Sequence, residues 1–210
     1  MSESHYTASE ERLNVITHGM GVIFSCIGLI FLLTKASSKM EIISSVVFGL
    51  SLIILYSAST MYHASKKQLK RAQLRIFDHA AIYILIAGTY TPICLITLSQ
   101  SIGTTLFYII WAIASCGVFI KLFFTGRFDK LSTFMYVAMG WIAIFAIKPL
   151  FDVMTINALL WLLSGGVFYT LGAILYSIRS MPMNHATFHI CVLGGSFCHY
   201  IMIYYYVLKS

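Results

Sequence analysis

The sequence predicts an all-α, polytopic membrane protein, a bundle of seven transmembrane helices forming one domain over residues 1–210. The first observation is composition: 59% of the residues are hydrophobic and only 10% are charged. A soluble domain has about 45–50% apolar and about 25% charged residues, so this chain has too few charges to cover a water-facing surface. The second observation is seven apolar runs, each near the roughly 20 residues that a helix needs to cross the membrane.

Each apolar run is predicted to be a helix, because lipid offers no hydrogen-bond partner to a free backbone group. The polar residues 1–17 form a predicted cytoplasmic tail before the first run. The seven predicted spans are His18–Leu33, Ile42–Tyr62, Ala80–Leu98, Thr104–Phe124, Ser132–Ile147, Ala158–Ile178 and His185–Leu208.

Polar segments and prolines separate these spans. Lys35–Lys39 is a short polar connection and Lys66–Arg75 is a basic one, while Pro149 and Pro182 are expected in loops. Pro92 falls inside the third span, where we expect it to kink or break the helix.

The basic residues predict the orientation of the bundle, because they accumulate on the cytoplasmic side of a membrane. The N-terminal side carries ten of them and the opposite side four, so we expect the N-terminus inside and the C-terminus outside. On the N-terminal side are Arg12, Lys66, Lys67, Lys70, Arg71, Arg75, Lys121, Arg127, Lys130 and Arg179, and on the other Lys35, Lys39, Lys148 and Lys209. The net charge of +7 is therefore a topology signal, and no nucleic-acid partner is expected.

Ionisable side chains gather at the cytoplasmic end of four predicted helices. They are His18, His63, the pair Asp78 and His79, and the pair His185 and His189. Ionisable groups inside membrane spans are rare and usually face the bundle interior, so this cluster is a candidate functional site.

The spacing of the histidines indicates a metal site. His185 and His189 are four residues apart and share one helix face, as do Ser59 and His63. Three imidazoles from two helices match a catalytic zinc site, which has three protein ligands and an open position for water. Asp78 is then expected to act as general base or to orient a ligand, and Ser59 to donate a hydrogen bond to substrate or water.

The alternative is that these histidines lie at helix ends and face lipid headgroups. His79 is rotated about 100° from Asp78 around the helix, so a packing or ligand-orienting role fits it better than ligation. His199 lies about 15 Å deeper than His189 and is expected to be a packed core histidine.

The same residues resemble motifs of the hemolysin III family, the bacterial branch of the progestin and adipoQ receptors. The resemblance covers essentially the whole chain in the right order. The matching segments are EERLNVITHG from Glu10 to Gly19 (with Glu11, Asn14 and His18), Ser59 with His63, Phe77 to His79, Leu85 to Pro92, and His185 to His189 with His199.

The resemblance implies a zinc hydrolase centre, as in the related alkaline ceramidases. It implies His63, His185 and His189 as ligands, with Asp78 and Ser59 contacting the zinc-bound water. Residues expected to support these groups or to pack around them are Glu11, Asn14, His18, His79 and His199. The resemblance also implies a bacterial plasma membrane and a part in membrane lipid balance, while the family name implies lysis of red cells.

Three functions follow as hypotheses. The leading one is a zinc-dependent hydrolase of a lipid amide or ester, with membrane lipid as its partner. The second is a receptor-like or regulatory membrane protein in which zinc is structural. The third is a pore-forming cytolysin, which the clustering of polar groups at one end disfavours. The residues identify neither the lipid nor any protein partner, nor whether catalysis is retained.

Overall fold

The computed structural model describes residues 6–124, 129–178 and 180–208, although the side chains of residues 129–130 are outside this description. Within these ranges the chain is helical and contains seven helices long and apolar enough to cross a membrane, which confirms the predicted fold class. We number them α1–α7: Ala8–Lys35, Lys39–Ala64, Gln68–Thr97, Gly103–Phe124, Leu131–Val153, Ile156–Ser177 and Asn184–Val207.

Two helices begin about ten residues before their apolar runs, contrary to prediction. Thr7 caps α1, its hydroxyl accepting a hydrogen bond from the Glu10 backbone N–H, so most of the expected polar tail is helical. The expected basic connection likewise becomes the first turns of α3, which starts at Gln68. Hydropathy does not detect these turns, because the buried face of the first turns of α1 is polar and the first turns of α3 are polar and largely exposed.

Three helices change their pitch within the membrane span. α3 is α-helical to Pro92 and continues as a π-helical turn over Ile93–Thr97, so the helix changes pitch at the proline instead of breaking there. α7 changes in the same way from Asn184–Met202 to Ile203–Val207.

The helix α5 has an irregular middle. An α-helix at Asp129–Gly140 is followed by a 3-10 helix at Trp141–Ala146 and another α-helix at Ile147–Val153. The loop predicted at Pro149 is therefore wrong. A proline is tolerated in the first turn of a helix, where its missing N–H would have no partner in any case.

The helices form a closed bundle around a central cavity. The helix α1 packs between α2 and α7, α3 joins α2 to α4, and α5 lies against α3, α4 and α6. The N-terminus of α1, the C-terminus of α2 and the N-termini of α3 and α7 lie at one end of the bundle. Of the basic residues that predict orientation, Arg127, Arg179 and Lys209 lie outside the described residues.

Candidate metal centre

Three buried histidines meet at the end of the bundle where α1 begins. His63 lies in the last turn of α2, and His185 and His189 lie in the first two turns of α7. One ring nitrogen from each lies within 4.8 Å of the others, so the three side chains could hold a metal ion. The predicted convergence of these imidazoles is therefore present in the structure.

The distances suit a small tetrahedral cation. The Nε2 atoms of His63 and His185 are 3.0 Å apart. Two nitrogens that each lie about 2.0–2.1 Å from a tetrahedral zinc ion are about 3.3 Å apart. The imidazoles thus approach the separation that zinc requires, and only small movements are needed to reach it.

His63 is oriented by α1 and α3. Its Nδ1 atom is 2.6 Å from the Glu11 carboxylate and 3.3 Å from the Asn14 amide nitrogen. The Arg71 guanidinium donates a hydrogen bond to the other Glu11 oxygen and lies over the Tyr62 ring. A carboxylate that accepts the Nδ1 proton leaves Nε2 as the ligand atom, an arrangement typical of metal-binding histidines. The predicted supporting role of Glu11 fits this geometry, whereas the Asn14 amide nitrogen is itself a donor and forms no hydrogen bond with a protonated Nδ1.

Contacts from α1 and the segment before it also hold the α7 pair. The Tyr6 hydroxyl lies 3.1 Å from Nδ1 of His185. The His18 ring stacks on the His189 ring, with the centroids 3.5 Å apart and the planes 9° from parallel. These positions agree with the expectation that His18 supports the site instead of completing its ligand set.

Several buried polar atoms beside the triad have no hydrogen-bond partner among the described residues. They are both ring nitrogens of His18, Nδ1 of His189 and Oδ1 of Asn14. Buried polar atoms are normally satisfied, so a cluster of unsatisfied ones indicates room for water, substrate or an ion.

Asp78 and Ser59 line the central cavity together with His185 and His189. Asp78 does not belong to the group of ligand atoms that lie within 4.8 Å of one another. Its carboxylate therefore faces the same space as the histidines from α3 without joining the triad. This placement fits a group that handles protons better than it fits a ligand.

The cavity has a volume of about 150 Å³ and extends along α7 from His185 to His199. Fourteen residues of helix correspond to about 21 Å. Most of its wall is apolar, including Leu55, Ile82 and Val192. It thus joins a polar end to a long apolar interior.

The two remaining predicted residues lie apart from the triad. His79 lines the cavity, and its backbone carbonyl accepts a hydrogen bond from the Tyr136 hydroxyl. Nε2 of His199 lies 3.1 Å from the Leu162 carbonyl oxygen, and the ring packs against Gly165. Both positions are compatible with the packing roles expected for these histidines.

Three residues near the site were not predicted from the sequence. Tyr6 lies in the polar tail, and Arg71 and Lys121 were interpreted only as topology signals. Lys121 is 2% exposed and lines the cavity. One signal for Arg71 exists: it lies seven residues before Asp78, two helical turns away on the same face.

Comparison with known proteins supports the resemblance. Residues 6–200 match the profile of the family described as haemolysin-III related. The chain is 42% identical over 207 residues to the hemolysin-3 homolog of Bacillus subtilis, covering 97% of each chain. It is 44% identical over 204 residues to hemolysin-3 of Bacillus cereus, covering 96% of this chain and 93% of that protein. It is also 25% identical over 215 residues to the human monocyte to macrophage differentiation factor, covering 97% of this chain and 87% of that protein.

Proposed function

This chain belongs to the haemolysin-III related family of multi-pass membrane proteins, and we propose that it is a zinc-dependent hydrolase of a lipid amide or ester. The observation that carries the proposal is the buried triad of His63, His185 and His189, with Asp78 and Ser59 beside it in one cavity. An all-imidazole donor set of three is the composition of a catalytic zinc site.

In this proposal the three imidazoles hold zinc, which would supply a Lewis acid and a water that ionises near neutral pH. The Glu11 carboxylate keeps the proton of His63 on Nδ1, so that Nε2 remains a ligand. The stacked His18 ring fixes the orientation of His189.

The remaining residues act on the substrate and on protons. Asp78 accepts the proton of the attacking water and later delivers it to the leaving group. The Ser59 hydroxyl, which lines the cavity together with Asp78, donates a hydrogen bond to the substrate carbonyl oxygen. The apolar wall of the cavity accommodates an acyl chain and excludes bulk water from the scissile bond.

Hydrolysis of a panel of lipid amides and esters by the purified, zinc-loaded protein tests the proposal. Asp78→Asn should lower turnover by about 10²-fold or more, because a general base contributes on that scale. Asp152→Asn is the matched control, since Asp152 is an exposed aspartate paired with Lys148 far from the cavity. Absence of turnover for every amide and ester, or full activity in Asp78→Asn, would contradict the hydrolase.

The second candidate is a regulatory protein with a structural zinc ion. It is favoured by the fact that the three candidate ligands come from two different helices. His63 belongs to α2 and the other two to α7, so a bound ion would tie these helices together. X-ray absorption at the zinc edge separates the two functions. A shell closed by protein atoms supports the structural role, and a shell with one exchangeable water supports hydrolysis.

A cytolysin is the third candidate, favoured by the names of the Bacillus relatives. Apart from His199, the histidines and charged residues that line the cavity gather at one end of this bundle, whereas a pore requires such groups along the whole span. Purified protein added to dye-loaded liposomes should release no dye, and release in proportion to protein would support the pore.

A further inference from the structure

A second concave surface lies outside the bundle, between α1, the end of α2 and the start of α3. We call it the α1–α3 groove. Arg12, Lys66, Arg71 and Arg75 supply its positive charge, and Val15, Ile16 and Ile76 belong to its apolar part. The groove is separate from the central cavity, although His63 contributes to both the groove and the metal centre.

The groove carries excess positive charge. Among the described residues that line it, the one acidic side chain is that of Glu11, which already pairs with Arg71 and His63. Arg12 and Lys66 are exposed and form no ion pair within the described ranges. A ligand for this surface should therefore be an anion.

Arg71 contributes hydrogen-bond donors whose position is fixed by contacts within the protein. Its Nη2 atom donates to Glu11, and its Nη1 atom donates to the carbonyls of Tyr62 and Ser65 at 3.4 Å. A guanidinium has five N–H donors, so these contacts leave others for an anion in the groove. Because these contacts hold the guanidinium in place, Arg71 can donate its remaining N–H groups to an anion with little loss of side-chain conformational entropy.

The apolar part of the groove indicates what the anion is attached to. Val15 and Ile16 lie one turn further into the membrane span than Arg12, and Ile76 follows Arg75. Leu13 and Phe77 are exposed nearby, at 40% and 57%. Basic groups at the helix ends and aliphatic groups beyond them match the order of headgroup and acyl chain in a phospholipid.

We propose that the α1–α3 groove binds an anionic phospholipid, with its phosphate at Arg12, Lys66 and Arg71 and its acyl chain along Val15, Ile16 and Ile76. The proposal does not rest on the hydrolase, because none of the residues placed against the lipid lines the cavity or ligates the metal, although Arg71 also hydrogen-bonds Glu11 behind His63. Its ligand comes from the surrounding leaflet, where it is present at high local concentration.

Native mass spectrometry of the full chain in detergent tests this site, with dioleoylphosphatidylglycerol, dioleoylphosphatidylcholine and inorganic phosphate as probes. The double variant Arg12→Gln/Lys66→Gln should bind phosphatidylglycerol about tenfold more weakly than wild type. Lys67→Gln/Lys70→Gln is the matched control, since it removes two exposed lysines of the same segment that do not line the groove. The control should bind within about twofold of wild type.

Thermal unfolding should be the same in both double variants, because all four side chains are exposed. Equal weakening in both would overturn the proposal by showing only diffuse attraction to a basic segment. Unchanged affinity in Arg12→Gln/Lys66→Gln would overturn it as well. Equal binding of phosphatidylcholine, or displacement of phosphatidylglycerol by an equimolar amount of inorganic phosphate, would show that the groove does not select an anionic lipid.

Discussion

His63 is the residue on which the site depends most, because three helices determine its position. It belongs to α2, its Nδ1 atom contacts Glu11 of α1, and Glu11 is bonded in turn to Arg71 of α3. Glu11 is thus a positioning residue. It fixes which nitrogen of His63 faces the metal without touching the metal itself.

Removal of the Glu11 charge should weaken metal binding. We expect Glu11→Gln to lower zinc affinity by about 10–100-fold, as loss of a carboxylate behind a histidine ligand does. Arg12→Gln is the control, since Arg12 is the exposed neighbour of Glu11 on the same helix. Competition with a zinc chelator in detergent measures the affinity, and Glu11→Asp should restore part of it. Equal affinity of Glu11→Gln and wild type would refute the positioning role.

At the residue scale, the sequence predicts which side chains share a helix face, but it does not predict contacts between residues far apart in the chain. Spacing was enough to predict that His63, His185 and His189 converge, because two of them share one helix face and all three lie at one end of the bundle. The spacing of Arg71 from Asp78 places both on one helix face, but it does not reveal the hydrogen bond that Arg71 donates to Glu11 of α1, 60 residues away. Tyr6 was not predicted for the same reason, since its contact with His185 joins residues 179 positions apart.

At the scale of elements, α1 and α3 both begin with polar residues. Hydropathy therefore places the start of each helix later along the chain than the structure does. Glu10, Asn14 and His18 are buried at intervals of four residues, so one face of α1 is polar for its first three turns. A search for apolar runs therefore finds α1 only from about His18 onward, where this polar face ends. The periodicity of the polar residues themselves was the signal that could have predicted the longer helix.

Close packing between α2 and α3 depends on Gly88. A Cβ atom at this position would lie 2.5 Å from Ser51 Cβ and 3.3 Å from the Val47 carbonyl oxygen, so the helices must separate. We expect Gly88→Ala to destabilise the fold by about 1–3 kcal/mol and to lower Tm in detergent by several degrees. Gly140→Ala is the control, because its Cβ atom would meet nothing within 4 Å. Equal Tm values would show that the helices adjust freely.

At the scale of the whole molecule, the prediction that remains open is orientation. Ten basic residues on one side against four on the other predict a cytoplasmic N-terminus and metal centre. A C-terminal alkaline phosphatase fusion in bacterial cells should therefore be active, and a C-terminal green fluorescent protein fusion dark. The opposite pair of results would place the triad at the outer face and contradict the prediction.

The seven helices and their order could be predicted from composition and from the positions of the apolar runs, because lipid leaves the chain few alternatives. The cavity could not, since its shape depends on how α5 and α6 pack against α3 and α7. The molecule thus combines a polar end that can hold a metal ion with a largely apolar interior that continues from it.

The zinc content of detergent-purified protein, measured without chelators for wild type beside His189→Ala, tests the metal centre most directly. We predict about one zinc ion per wild-type chain and little in the variant, because two imidazoles hold zinc much less tightly than three. Wild-type protein without zinc, or a variant that retains all of it, would contradict the metal centre and leave the buried histidines with a packing role alone.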